Sequence, residues 1–83
     1  MNANETMAAY WDEAHARADR EIFVRNLGWL LAQTREQVIA CELINAGQEG
    51  EHVLVTYHGG HQRRINVHMD SYAAIVRDVA KQI

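Results

Sequence analysis

Four of the five histidines in this 83-residue chain fall between positions 52 and 68, and they are the first residues to ask about chemistry. His58 and His61 flank Gly59-Gly60, so a tight turn would bring both imidazoles toward one metal ion. A zinc site needs three or four ligands steadied by further hydrogen bonds, and His58 and His61 supply only two. His52 and His68 lie at the far end of the same segment; at about 3.3 Å per strand residue they do not reach the turn within one subunit. The pair are the candidate metal ligands, and polar turn residues are the simpler reading. Cys41 is the only cysteine, which excludes an internal disulfide and any paired-thiol metal site. A thiol nucleophile also needs a hydrogen-bonded base, and none is assigned to Cys41 by spacing. Asp12 and Glu13 are consecutive and, on a helix, project about 100° apart, so they are solvating charges rather than an acid–base pair. No phosphate-binding glycine loop, nucleophile elbow or zinc-helix signature is present. No catalytic residue and no cofactor are assigned, and the chain reads as a non-enzyme.

These side chains must be positioned by a short list of elements. Asn2 or Asn4 can cap a helix with Glu5 in its first turn, and the helical pattern runs from about Asn4 to Gln33. Glu13, Arg17, Glu21 and Arg25 alternate in sign every four residues, the spacing of a solvent-facing ladder. Met7, Trp11, Ala14, Ala18, Ile22 and Trp29 form an apolar stripe that Phe23, Leu27 and Leu30 widen. Gly28 either costs this helix about 1 kcal/mol or ends it as a left-handed cap, after which the chain would fold back. Thr34 to Gln37 fits a capping box, yet Val38 to Ile44 is mostly β-favouring and is expected as a strand with Ile39, Cys41 and Leu43 inward. Glu51 to Tyr57 and Gln62 to Met69 read as a hairpin. A two-residue Gly-Gly loop would place Val53 and Val55 on the face opposite Ile65 and Val67. A three-residue loop, His58-Gly59-Gly60 with Gly60 left-handed, pairs residues whose numbers sum to 118 and gathers all four with Tyr57. Asp70 or Ser71 then caps a final helix with Tyr72, Ile75, Val76, Val79, Ala80 and Ile83 on its docking face. The expectation is one α+β domain over 1–83, ordered αβββα, with both helices on the apolar face of a three-stranded antiparallel meander.

The tail Val55-Thr56-Tyr57, Gly60, Ile65-Asn66-Val67, Asp70-Ser71, Ala74, Ile75, Asp78-Val79 resembles the ends of short uncharacterised bacterial proteins, some associated with mobile elements. That resemblance covers about half the chain and consists of strand, turn and cap residues, so it implies a hairpin followed by a helix and no activity. The αβββα order also resembles the double-stranded RNA binding domain. Such domains carry a basic cluster at the start of the second helix, and Asp70-Ser71-Tyr72-Ala73 occupies that place here.

Charge narrows the partners. Net charge is −3, with nine acids against four arginines over residues 1–51 and two acids against four basic residues over 52–83. A pI near 5.9 lacks the electrostatic footprint of a nucleic-acid binder. Arg63 and Arg64 fall on opposite faces of one strand, which leaves Arg64, His52 and His68 as the candidates for a weak nucleic-acid contact. The sheet face they would share has no aromatic to stack a base. No apolar run is long enough to span a membrane, and the start resembles no signal peptide, so the expected address is the cytoplasm.

Length makes assembly the strongest functional expectation. A helix of about 30 residues spans about 45 Å, while a compact chain of this size is about 30 Å across and its strands cover about 23 Å. Part of the helix must overhang its own sheet. A homodimer built on Met7, Tyr10, Trp11, Ala14 and Ala18 would cover that surface, and an unidentified protein partner is the other candidate. A small interaction or accessory module is therefore expected, with a weak nucleic-acid binder and a metal- or thiol-dependent enzyme as its rivals.

Overall fold

A computed structural model describes the backbone of residues 3–83 and the side chains from Ala14 onward. The order is α1 (Ala3–Thr34), β1 (Val38–Ile44), β2 (His52–Tyr57), β3 (Gln62–Asn66) and α2 (Tyr72–Gln82). The strands form an antiparallel meander in the order β1-β2-β3, an α+β fold of type αβββα. Its dimensions are 52 × 21 × 21 Å and its radius of gyration is 14.7 Å, against about 12 Å for a compact chain of this length. The excess lies along α1, whose 32 residues span about 48 Å.

The hairpin has the odd-length loop that the apolar pattern requires. His52 pairs with Asn66, Val53 with Ile65 and Val55 with Arg63. Tyr57 donates its N–H to the His61 carbonyl at 3.0 Å, and Gly60 takes a φ of 92° in the turn. Val53, Val55, Tyr57, Ile65 and Val67 are buried together as a consequence. β3 stops at Asn66, short of Met69. There the Asn66 side-chain oxygen accepts the His68 N–H at 2.9 Å and turns the chain, while Val67 stays in the core with its N–H donating to the Glu51 carbonyl at 3.2 Å, one step past the end of β3.

β1 has the expected limits, and two of its three expected inward residues, Cys41 and Leu43, face the core. Val38 pairs with Tyr57 and Ala40 with Thr56, so one extra residue is inserted at Ile39. That bulge turns Val38 into the core and leaves Ile39 exposed, while Cys41 and Leu43 point inward. The capping box at Thr34 opens no helix. Thr34 is instead the last residue of α1, and its hydroxyl donates back to the Leu30 and Leu31 carbonyls at 3.4 and 3.3 Å.

Gly28 does not break α1. It lies fully inside the helix where α1 crosses β1, and a Cβ there would sit 2.3 Å from the Cys41 nitrogen and 2.8 Å from the Cys41 Cβ. The missing side chain is what lets helix and strand touch. Ser71 caps α2, its hydroxyl accepting the Ala74 N–H at 3.2 Å, and Ile75 and Val79 bury that helix against the sheet. Val76 remains 40 % exposed.

Candidate functional site: the outer face of the first helix

The position of α1 is set by a side chain that the sequence pattern did not single out. Arg20 is directed inward, where its Nε donates to Glu51 Oε2 at 3.1 Å and its Nη2 to Oε1. Its Nη1 donates to the Asp70 carbonyl at 2.7 Å. Glu51 is 1 % exposed and also accepts the Gly47 N–H at 2.6 Å. One guanidinium therefore ties the helix to the β1–β2 turn and to the segment entering α2. The only hint in the sequence is negative: Arg20 falls outside the Glu13-Arg17-Glu21-Arg25 ladder. That ladder forms no ion pair among the described residues, where the pairs are Arg20–Glu51 and Arg77–Asp78.

Held in this way, α1 has two apolar faces rather than one. Val24 and Gly28 are buried against β1, with Phe23, Leu27 and Leu31 packed beside them. On the opposite side Ala18, Ile22 and Trp29 recur at helical spacing and all are exposed, Ile22 by 50 % and Trp29 by 65 %. The sequence reading merged these residues with Phe23 and Leu27 into one stripe; the structure separates them. Leu30, expected to widen the core side, is 55 % exposed. Tyr72 and Val76 of α2 add to the same layer, and Tyr72 stacks on Phe23 with ring centroids 4.6 Å apart. Five of the seven large apolar residues exposed among the described residues are thus on the helix layer.

Of the expected interface residues, Ala18 is exposed on this face and Ala14 is half-buried at its margin. Met7, Tyr10 and Trp11 lie outside the residues whose side chains are described.

The other candidates are dispersed. His61 stacks on Tyr57 with centroids 4.7 Å apart, and the His58 N–H extends the β1–β2 ladder by donating to the Gln37 carbonyl at 2.8 Å. Among the described residues no group of three or more histidine, cysteine or acidic side chains is placed to hold a metal ion. Cys41 is buried, and desolvation pushes its thiol up to about 11, far from the range of a working nucleophile. Arg63 turns to the helix side and donates to the Gln82 carbonyl at the C-terminal end of α2, where a cation is favoured by the helix dipole. Arg64 alone stays on the open sheet face, lining a shallow depression with His52, Leu54, Gln62, Ile44 and Asn45. His52 Nδ1 lies 2.8 Å from the Gly50 carbonyl and is engaged there. Tyr57 is buried on the opposite face of the sheet, so it offers no stacking platform on the open side.

No helix among the described residues is long and apolar enough to cross a membrane. Comparison with known proteins finds no matching family model, no matching curated protein and no matching solved structure.

Proposed function

We propose that this chain is a non-enzymatic interaction module that works as a homodimer, with the outer face of α1 as the contact. The observation that carries this reading is the line Ala18, Ile22 and Trp29, exposed on the side of the helix opposite its own sheet. A monomer has no use for a half-exposed isoleucine and a largely exposed tryptophan at helical spacing, and such a patch marks an interaction site. The sequence extends the line toward the N-terminus, because positions 11 and 29 are five full helical turns apart and both are tryptophan.

The magnitude suits a reversible dimer. Covering Ile22 and Trp29 in two copies removes on the order of 500 Å² of apolar surface, a gross gain of about 12 kcal/mol. Association costs about 4–15 kcal/mol, so these residues alone reach micromolar affinity at the low end of that cost and fall short of it above. Light scattering after size exclusion, from about 1 to 200 μM, is the test. A dimer that Trp29→Glu dissociates and Arg64→Glu leaves intact places the contact on the helix; a monomer mass at every concentration refutes it.

A further inference from the structure

We infer that the second copy crosses the outer face of α1 antiparallel to the first, with Ala18 receiving Trp29 of the other copy and Arg25 lying beside its Glu21. This rests on the reading that a second copy covers that face, and it adds the arrangement that the exposed residues select.

Charge is the first argument. Residues 1–21 contain five acids and two arginines, and of those arginines Arg20 is consumed by the buried Glu51. Residues 22–34 contain Arg25 and no acid. Asp19, Glu21 and Arg25 are all exposed, and none makes an ion pair within the chain among the described residues. A parallel pairing would set Arg25 against Arg25 and the acidic half against its own copy. Reversing one helix brings the acidic half of each copy to the basic half of the other, and it opposes the helix dipoles as well.

Size is the second argument. Ala18 and Trp29 are eleven residues apart, about three turns, so both lie on the same line of the helix. In a parallel contact the two tryptophans would meet each other while the two alanines faced a gap. In the antiparallel contact the smallest residue of the line lies opposite the largest, twice, and Ile22 packs along the stem of Arg25 between them. The two-fold axis then passes between Ile22 and Arg25, and the surface is self-complementary as a closed dimer requires.

Cysteine cross-linking and charge exchange separate orientation from association. With the axis between Ile22 and Arg25, the two Ala18 Cα atoms are about 16 Å apart, beyond the ~7 Å limit for a disulfide. An Ala18→Cys chain shown to be dimeric by light scattering is expected to form no disulfide-linked dimer under mild oxidation, and the buried Cys41 adds no background. Arg25→Glu is expected to dimerise roughly tenfold more weakly than the unmodified chain, because its glutamate then lies beside Glu21 of the other copy, and mixing it with Glu21→Arg chains is expected to restore the contact. Rapid cross-linking of Ala18→Cys to itself would overturn the antiparallel arrangement while leaving the dimer standing. So would an Arg25→Glu chain that pairs with the unmodified chain more tightly than the unmodified chain pairs with itself, as a contact that sets position 25 against position 25 requires. A chain that stays monomeric at 200 μM would instead remove the dimer itself. All substituted positions are exposed, and an unchanged melting temperature of each variant confirms that the fold is intact.

Discussion

Replacing Gly28 with alanine sets two effects against each other, and the structure determines the winner. In an exposed helix interior the change would stabilise by about 1 kcal/mol, because alanine is the better helix former. Here the new Cβ would lie 2.3 Å from the Cys41 nitrogen and 3.0 Å from its Cα, both backbone atoms that no rotamer change can move. Restoring ordinary contact requires α1 and β1 to part by about 1 Å, which loosens the packing of Val24, Leu27 and Leu31 against the sheet. Overpacking of this kind costs about 1–3 kcal/mol, and the upper part of the range applies when the clash is with backbone. The net loss is therefore about 1–2 kcal/mol out of a total of about 4–12 kcal/mol for a chain of this length. Urea denaturation followed by tryptophan fluorescence or circular dichroism measures it, with an expected drop in melting temperature of about 5–15 °C. Cys41→Ala in the same background should give no relief, because the closest contact is to the backbone nitrogen. A Gly28→Ala chain as stable as the parent, or more so, would show that the glycine is tolerated rather than required and that helix and strand do not approach as described.

Three further outcomes follow from the core and its charges. Arg20→Ala leaves the Glu51 carboxylate buried without its cation and should cost about 3–5 kcal/mol in urea denaturation, whereas a loss below 1 kcal/mol would mean that Glu51 reaches water. Hydrogen bonding to Asp78, and then burial, hold the Asp70 carboxyl above its ordinary range; the same hydrogen bond and then Arg77 hold Asp78 below it. Asp70 thus stabilises the fold in acid and loses that contribution as pH rises through its raised value, while Asp78 contributes above the ordinary carboxylate range and loses its share as pH falls. Asp70→Asn should consequently gain stability over the parent as pH rises from 3 to 7 in urea denaturation, and a difference that stays flat would refute a raised Asp70 carboxyl. Cys41, with its thiol pushed up to about 11, should react with a disulfide reagent at pH 8 far more slowly in the native chain than in urea, and equal rates would contradict its burial.

What the amino-acid sequence determines by itself comes from short-range periodicity. The alternation of Val53, Val55, Tyr57, Ile65 and Val67 has one solution that buries them all, so the odd loop and the register at 118 followed from counting. The order αβββα, the limits of β1 and a cap at Asp70 or Ser71, which Ser71 supplies, were legible for the same reason: propensity and capping act over a few residues. Contacts between distant segments were not legible. The spacing favoured one helix through Gly28 and left a break there as the alternative, because a glycine costs a helix locally; only the crossing with β1 shows that the absent side chain is the contact. Ile39 looked inward because alternation ignores a bulge, and that bulge exists only in pairing with β2. Arg20 carried no local mark, since a buried ion pair joining residues 31 apart is defined by the fold that brings them together. The apolar residues of α1 were visible as a set, but their division between a face on the sheet and a face in water was decided by the side of the helix on which β1 lies.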